Sequence, residues 1–143
     1  MANMLKISEA ASLAMHTMVL LAKDPERVVS NREIAERLKV SEAHLSKVLQ
    51  RLTRVGLVAP VRGPKGGFRL SGSPEQITLL KVYESIEGRL VPKTCLFEKP
   101  VCGGGACILG DLLTTVNRRI ADHLSGTTLS DLVGNGAQEQ AGL

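Results

Sequence analysis

The sequence predicts a mainly α fold: a winged helix-turn-helix with a small two-stranded β-wing, followed by a long C-terminal dimerisation helix. Three observations predict it. Two short helical patterns flank a turn at Lys39-Val40, and each is preceded by a serine able to cap it, Ser30 and Ser41. The glycine-rich run Gly63-Pro64-Lys65-Gly66-Gly67 then separates two short β-prone segments. Farther along, Leu109, Leu112, Leu113, Val116, Ile120 and Leu124 form one apolar stripe at helical spacing.

Taken in order, Ile7, Ala10, Ala11, Ala14, Met18 and Leu21 recur with a helical period. Leu13, Met15, Val19 and Leu20 fill other faces, so this first helix should be buried on most sides and partly against a second chain. It should end near Lys23, before Asp24-Pro25. Ser30 and Glu33 have the S-x-x-E spacing of a capping box and open a short helix carrying Ile34, Ala35 and Leu38. From Ser41 a second helix buries Leu45, Val48, Leu49 and Leu52 and stops at Gly56. Leu57 to Arg62 and Phe68 to Leu70 read as the two strands, and Pro60 confines the first to an edge or a two-stranded ribbon. Thr78 caps a further helix with Leu79, Val82, Tyr83 and Ile86 on one face and Gly88 at its end. Residues 89–105 have no period, the long helix follows them, and Thr128 starts a last short turn. This divides the chain into a DNA-reading domain at 1–72, a helix, cysteine loop and dimerisation helix at 73–133, and a disordered tail at 134–143.

Composition narrows the function. There is no Trp, one Tyr and two Phe among 143 residues, which argues against binders that stack single-stranded bases on aromatic platforms. With neither a secretory signal pattern nor an apolar run long enough for a bilayer, the chain reads as cytoplasmic, with no membrane partner. No nucleophile–base pair, phosphate-cradling loop or paired-carboxylate site is present, and His16, His44 and His123 are scattered, so an enzyme is not expected.

Charge is unevenly spread. Residues 1–72 hold 12 Lys/Arg against 6 Asp/Glu, a net of +6, while residues 73–143 hold 6 against 8, a net of −2. From Arg37 to Arg69 there are eight basic residues and one acid, Glu42, the footprint of a phosphate-contacting surface. Burying the leucine face of the second helix leaves Glu42, Ala43, Ser46, Lys47, Gln50, Arg51 and Arg54 outward. Ser41 and Ala43 stand at the end expected to enter a major groove of double-stranded DNA, with His44 on the helix surface near it. Short side chains at Ala43 and Ser46 permit close approach. Lys47 can reach guanine O6/N7 and Gln50 adenine N6/N7. Arg51 and Arg54, farther along, suit phosphate. In the wing, Arg62 and Lys65 flank the glycine-rich tip, where an arginine can enter a narrow minor groove.

Cys95, Cys102 and Cys107 have the spacing C-x6-C-x4-C around Gly103-Gly104-Gly105. Three thiolates on one glycine-rich loop can converge on a metal centre. An iron–sulfur cluster and zinc both call for four ligands, and the absence of C-x2-C disfavours a zinc ribbon or thioredoxin-like site.

The stretch from Ser41 to Leu52, then GLVAPVRGPKGGFRL at 56–70, resembles the IscR/NsrR family of bacterial winged-helix, iron–sulfur cluster-sensing transcription regulators, and VRGPKGGF carries most of the likeness. KISEAASLA at 6–14, the helix from Thr78, the cysteine loop, the long helix and TTLSDLV at 127–133 are also similar. The resemblance implies a homodimer joined through the long helix, a palindromic operator, and a cluster of 2Fe-2S or 4Fe-4S type that tunes DNA affinity. By matching position Arg62 is the minor-groove arginine, and Ala43, Ser46 and Lys47 are recognition-helix positions. Cluster-binding members carry three cysteines in this loop. Some members add a histidine just after the third cysteine, where this chain has Gly110. Others use an acid on the partner's first helix, where it has Ser12. Glu9 and His16, one turn either side of Ser12, and Asp111 are the other candidate fourth ligands, water or no ligand being the alternative. Two further functions compete with a cluster-sensing repressor. One is a cluster-free regulator controlled by cysteine oxidation or a protein effector, the other an interaction adaptor that keeps the fold without reading DNA.

Overall fold

A computed structural model describes residues 7–91, 95–97, 99, 101–103 and 107–134. The elements run α1 (Glu9–Ala22), α2 (Asn31–Leu38), α3 (Glu42–Arg54), β1 (Val58–Val61), β2 (Gly67–Leu70), α4 (Leu79–Glu87), α5 (Leu112–Gly126) and α6 (Leu129–Gly134). The expected mainly α winged-helix class is the one observed. Of the tail expected to be disordered, residues 135–143 lie outside the described residues, as do Gly104 and Gly105 of the cysteine loop.

Hydroxyl caps set the helix starts. The side chains of Ser8, Ser30, Ser41 and Thr78 accept from the backbone N–H groups of Ala11, Glu33, His44 and Lys81. The Ser30–Glu33 box is formed on one side. Ser30 accepts from Glu33, while the Glu33 carboxylate lies 2.9 Å from Arg27 and 3.0 Å from Arg37. A reciprocal box forms instead at Thr128 and Asp131: each side chain accepts from the other's backbone N–H, at 3.2 and 2.9 Å. The turn between α2 and α3 is made by Lys39 in the left-handed region (φ 57°, ψ 46°), with its N–H returned to the carbonyls of Ala35 and Glu36.

The core is aliphatic. Leu45, Val48, Leu49 and Leu52 of α3 meet Ala14, Met18 and Leu21 of α1 and Ile34 and Ala35 of α2. Ile77, Val82 and Leu129 join the same core. α1 packs against α2, α3, α4, α6 and β2, so its own chain covers most of its faces. Segment 127–129 comes back beside 77–79: Leu79 N–H donates to Thr127 O and Leu129 N–H to Ile77 O, both at 2.9 Å.

The wing has one more strand-like partner than expected. β1 and β2 pair antiparallel, with Pro60 opposite Phe68. Phe68 directs both its N–H and its C=O away from β1, to the C=O and N–H of Val29, at 2.8 Å each. Pro60 therefore faces a position of the ladder that asks nothing of the N–H it lacks.

The long helix begins at Leu112, leaving Leu109 in the preceding turn. Its stripe divides in two. Leu124 is buried within the chain (6 %), whereas Leu112 (52 %) and Val116 (40 %) stand open. Among the described residues no helix is long and apolar enough to cross a membrane.

Candidate nucleic-acid interface

The recognition helix α3 is held from beneath by its four buried aliphatic side chains and at its start by the Ser41 cap. Ser41, Glu42, Ala43, Lys47, Gln50, Arg51 and Arg54 are exposed, and Ser46 and His44 are half-buried. The outward face is the one expected from the leucine spacing. Lys39, Lys47, Arg54, Arg62 and Lys65 have no acid within ion-pair distance among the described residues, while Arg37 pairs with Glu33 and Arg69 lies 3.9 Å from Glu26. An unneutralised set of cations is what a phosphate surface requires.

The wing tip is a tight turn closed by Gly66 N–H to Gly63 O at 2.9 Å, with Pro64 and Lys65 at its centre and Arg62 just before it. Both basic side chains are exposed. Gly66 has no room for a side chain: a Cβ there would lie 2.3 Å from the Val61 carbonyl oxygen.

One expected interface residue is engaged elsewhere, and another borders a groove. Arg51 Nη1 donates to the Ile86 carbonyl at 3.0 Å, tying α3 to the last turn of α4. His44 lines a groove of about 590 Å³ between α1 and the α2–α3 turn, with Glu9, Ser12 and His16 on one side and Arg37 and Lys39 on the other. One contact at the candidate interface escaped the sequence reading. Asn31 Nδ2 donates to Ser46 Oγ at 2.8 Å. The two are 15 positions apart in different helices, a separation with no periodic signal.

The three cysteines are free; Cys102 is exposed and Cys95 and Cys107 are half-buried. Among the described residues no three His, Cys, Asp or Glu side chains are gathered to hold a metal ion. The donor chemistry suits an iron–sulfur group, since three thiols in one loop are unspent on disulfides, but the described residues of the single chain do not assemble a ligand set. Of the candidate fourth ligands, Glu9, Ser12 and His16 share the groove, and Asp111 is exposed beside α5. Gly110, in the turn before α5, has no ligating side chain to offer. His16 is exposed, and its Nδ1 lies 2.7 Å from the Ser12 carbonyl. A carbonyl only accepts, so this contact calls for the proton on Nδ1, which in the neutral ring leaves Nε2 to serve as a ligand.

The family profile described as "Rrf2: Iron-dependent Transcriptional regulator" matches residues 7–135. The chain belongs to the Rrf2 family. Its relatives include a candidate HTH-type transcriptional regulator of Aquifex aeolicus, 31 % identical over 88 % of this chain and 90 % of that protein. The HTH-type transcriptional regulator IscR of Pectobacterium carotovorum subsp. carotovorum is 34 % identical over 72 % of this chain, which spans only 63 % of that protein's length. Among solved structures, CymR (YrzC), the global cysteine regulator of B. subtilis, superposes with a TM-score of 0.77 at 30 % identity, over 92 % of this chain and 98 % of that one. The chain is thus an Rrf2-family transcriptional regulator of the IscR and CymR kind, and not an enzyme.

Proposed function

We propose that this Rrf2 protein is a dimeric repressor that reads a palindromic operator. Ser41, Ala43, Ser46, Lys47 and Gln50 take the major groove, Arg54 the phosphates, and Arg62 and Lys65 the flanking minor groove. The observation that carries this reading is the set of exposed cations on α3 and the wing that no acid neutralises among the described residues. Arg51, tied to α4, and His44, at the rim of the groove, act from the margin. Arg62→Ala is expected to weaken operator binding by about 1–3 kcal/mol, roughly 5- to 150-fold, with an unchanged melting temperature. Fluorescence anisotropy at fixed salt measures it, and equal affinities would refute the wing's role.

Operator affinity is proposed to be set by an iron–sulfur cluster of 2Fe-2S or 4Fe-4S type held by Cys95, Cys102 and Cys107. Such a group would supply an oxygen- or nitric oxide-sensitive centre. The partner subunit's first helix is proposed to complete it, with His16 the favoured donor over Ser12 and Glu9 because its neutral ring leaves Nε2 to serve as a ligand. Anaerobically purified protein should absorb visible light and contain iron and sulfide, and His16→Ala should shorten the colour's lifetime in air. A variant lacking all three cysteines that binds as much iron as wild type would end this reading. The free, exposed thiol of Cys102 favours a second one, control by cysteine oxidation without a cluster. Colourless anaerobic protein whose DNA binding still responds to peroxide would support it.

A further inference from the structure

We infer that Asn31 is a specificity-determining positioning residue, which acts by occupying one acceptor site of the Ser46 hydroxyl and so favouring its donation toward DNA. The inference rests on the proposed reading of α3 as the recognition helix. Asn31 opens α2, and its Nδ2 lies 2.8 Å from Ser46 Oγ and 3.4 Å from the Glu42 carbonyl oxygen. The longer contact is weak, but its sign orients the amide. Turned over, Asn31 would set its oxygen against a carbonyl that cannot donate.

A serine hydroxyl has one hydrogen and two lone pairs, and on a base edge it can serve either way. With Asn31 donating to one lone pair from the protein side, one hydrogen and one lone pair remain, and no described residue accepts that hydrogen, which favours donation toward DNA. Ser46 then reads acceptors, namely guanine O6 or N7, adenine N7, thymine O4 or a phosphate oxygen. With one acceptor site already taken, it is a poorer partner for the N4 amino group of cytosine.

A second observation separates this role from a stabilising one. Asn31 Oδ1 is buried without a hydrogen-bond partner among the described residues. An orphaned amide oxygen weakens a fold, and many residues would serve as well at the first position of a helix. The amide is explained by what its nitrogen does for Ser46.

The test is selection from a randomised duplex pool by the full chain as wild type, Ser46→Ala, Asn31→Ala and the double variant. Both single variants are expected to relax the same position of each half-site, lowering discrimination there roughly fivefold. The double variant should match Ser46→Ala, and Asn31→Ala should melt near the wild type. If Ser46→Ala relaxes a position and Asn31→Ala leaves it intact or relaxes a different one, the inference is overturned while the reading of α3 stands. If Ser46→Ala leaves the motif unchanged, the inference falls, and the reading of α3 falls with it only if Lys47→Ala leaves the motif unchanged as well. Asn31→Asp keeps the shape and reverses the polarity, so the motif should move toward a base that donates. This arm decides the matter even if the alanine variant does not fold, and an unchanged motif would overturn the inference.

Discussion

Val116→Lys is expected to make the protein monomeric and to lower operator affinity by roughly two to four orders of magnitude, the scale on which a second linked binding site acts. One winged helix covers a half-site, so tight binding to a palindrome needs two copies held in register. The apolar stripe of α5 is the surface expected to hold them. Leu112 and Val116 remain 52 % and 40 % exposed in the single chain, with Val116 one turn beyond Leu112 on the same face. Ile120 and Leu113 belong to the stripe by spacing but are half-buried within the chain, and Leu124 is buried outright. A lysine at Ile120 would disturb the chain's own packing as well as a dimer. A lysine at Val116 places its charge only where a partner would sit. Light scattering reads the mass, and circular dichroism should show an unchanged fold. A variant that remains dimeric would move the interface off this face of α5.

Gly67→Ala is expected to destabilise the protein by about 3 kcal/mol, near the upper end of what overpacking usually costs. A Cβ at Gly67 would lie 2.3 Å from the Val29 carbonyl oxygen, 2.6 Å from its carbon and 2.8 Å from Ser30 Cα. All three are backbone atoms, so no rotamer change relieves the contact. The two ways out are both unfavourable: β2 must leave Val29 and forfeit its pair of 2.8 Å hydrogen bonds, or the chain before α2 must shift with the Ser30 cap. Either route displaces the wing relative to α3, so operator affinity should fall in parallel. Gly63→Ala is the comparison. Its φ of 111° strains a side chain, yet nothing lies within 4 Å of a Cβ there, so its effect should be the smaller. Urea unfolding measures both, and a Gly67→Ala protein as stable as wild type would mean the Val29–Phe68 bridge does not hold the wing.

The two glycines show where sequence reasoning reached and where it stopped. Both sit in one run that reads as a turn, and a turn is what forms. The run cannot say that Gly63 is needed for its dihedral angle and Gly67 for the closeness of Val29, 38 positions earlier. The same holds for the recognition helix. Leu45, Val48, Leu49 and Leu52 mark its buried face because a helix repeats every 3.6 residues, and the outward set follows by subtraction. Spacing cannot show that one outward residue, Arg51, reaches back to the Ile86 carbonyl, or that His44 borders the same groove as His16.

The helix starts at Ser30, Ser41 and Thr78, the Lys39 turn, the buried leucines and the wing turn were legible in the chain alone, whereas the Ser8 cap and the start of α5 at Leu112 were not. Each legible feature depends on groups within about four residues of one another, where bond geometry and capping chemistry act locally. Four further features depend on tertiary packing: the return of segment 127–129 beside 77–79, the Asn31–Ser46 contact, the third edge of the wing at Val29, and the division of the α5 stripe into a covered end and an open one. They join residues 12 or more positions apart, whose meeting depends on how helices stack on a shared aliphatic core. The order of residues states which faces must be buried, and only the packed chain settles which face buries which.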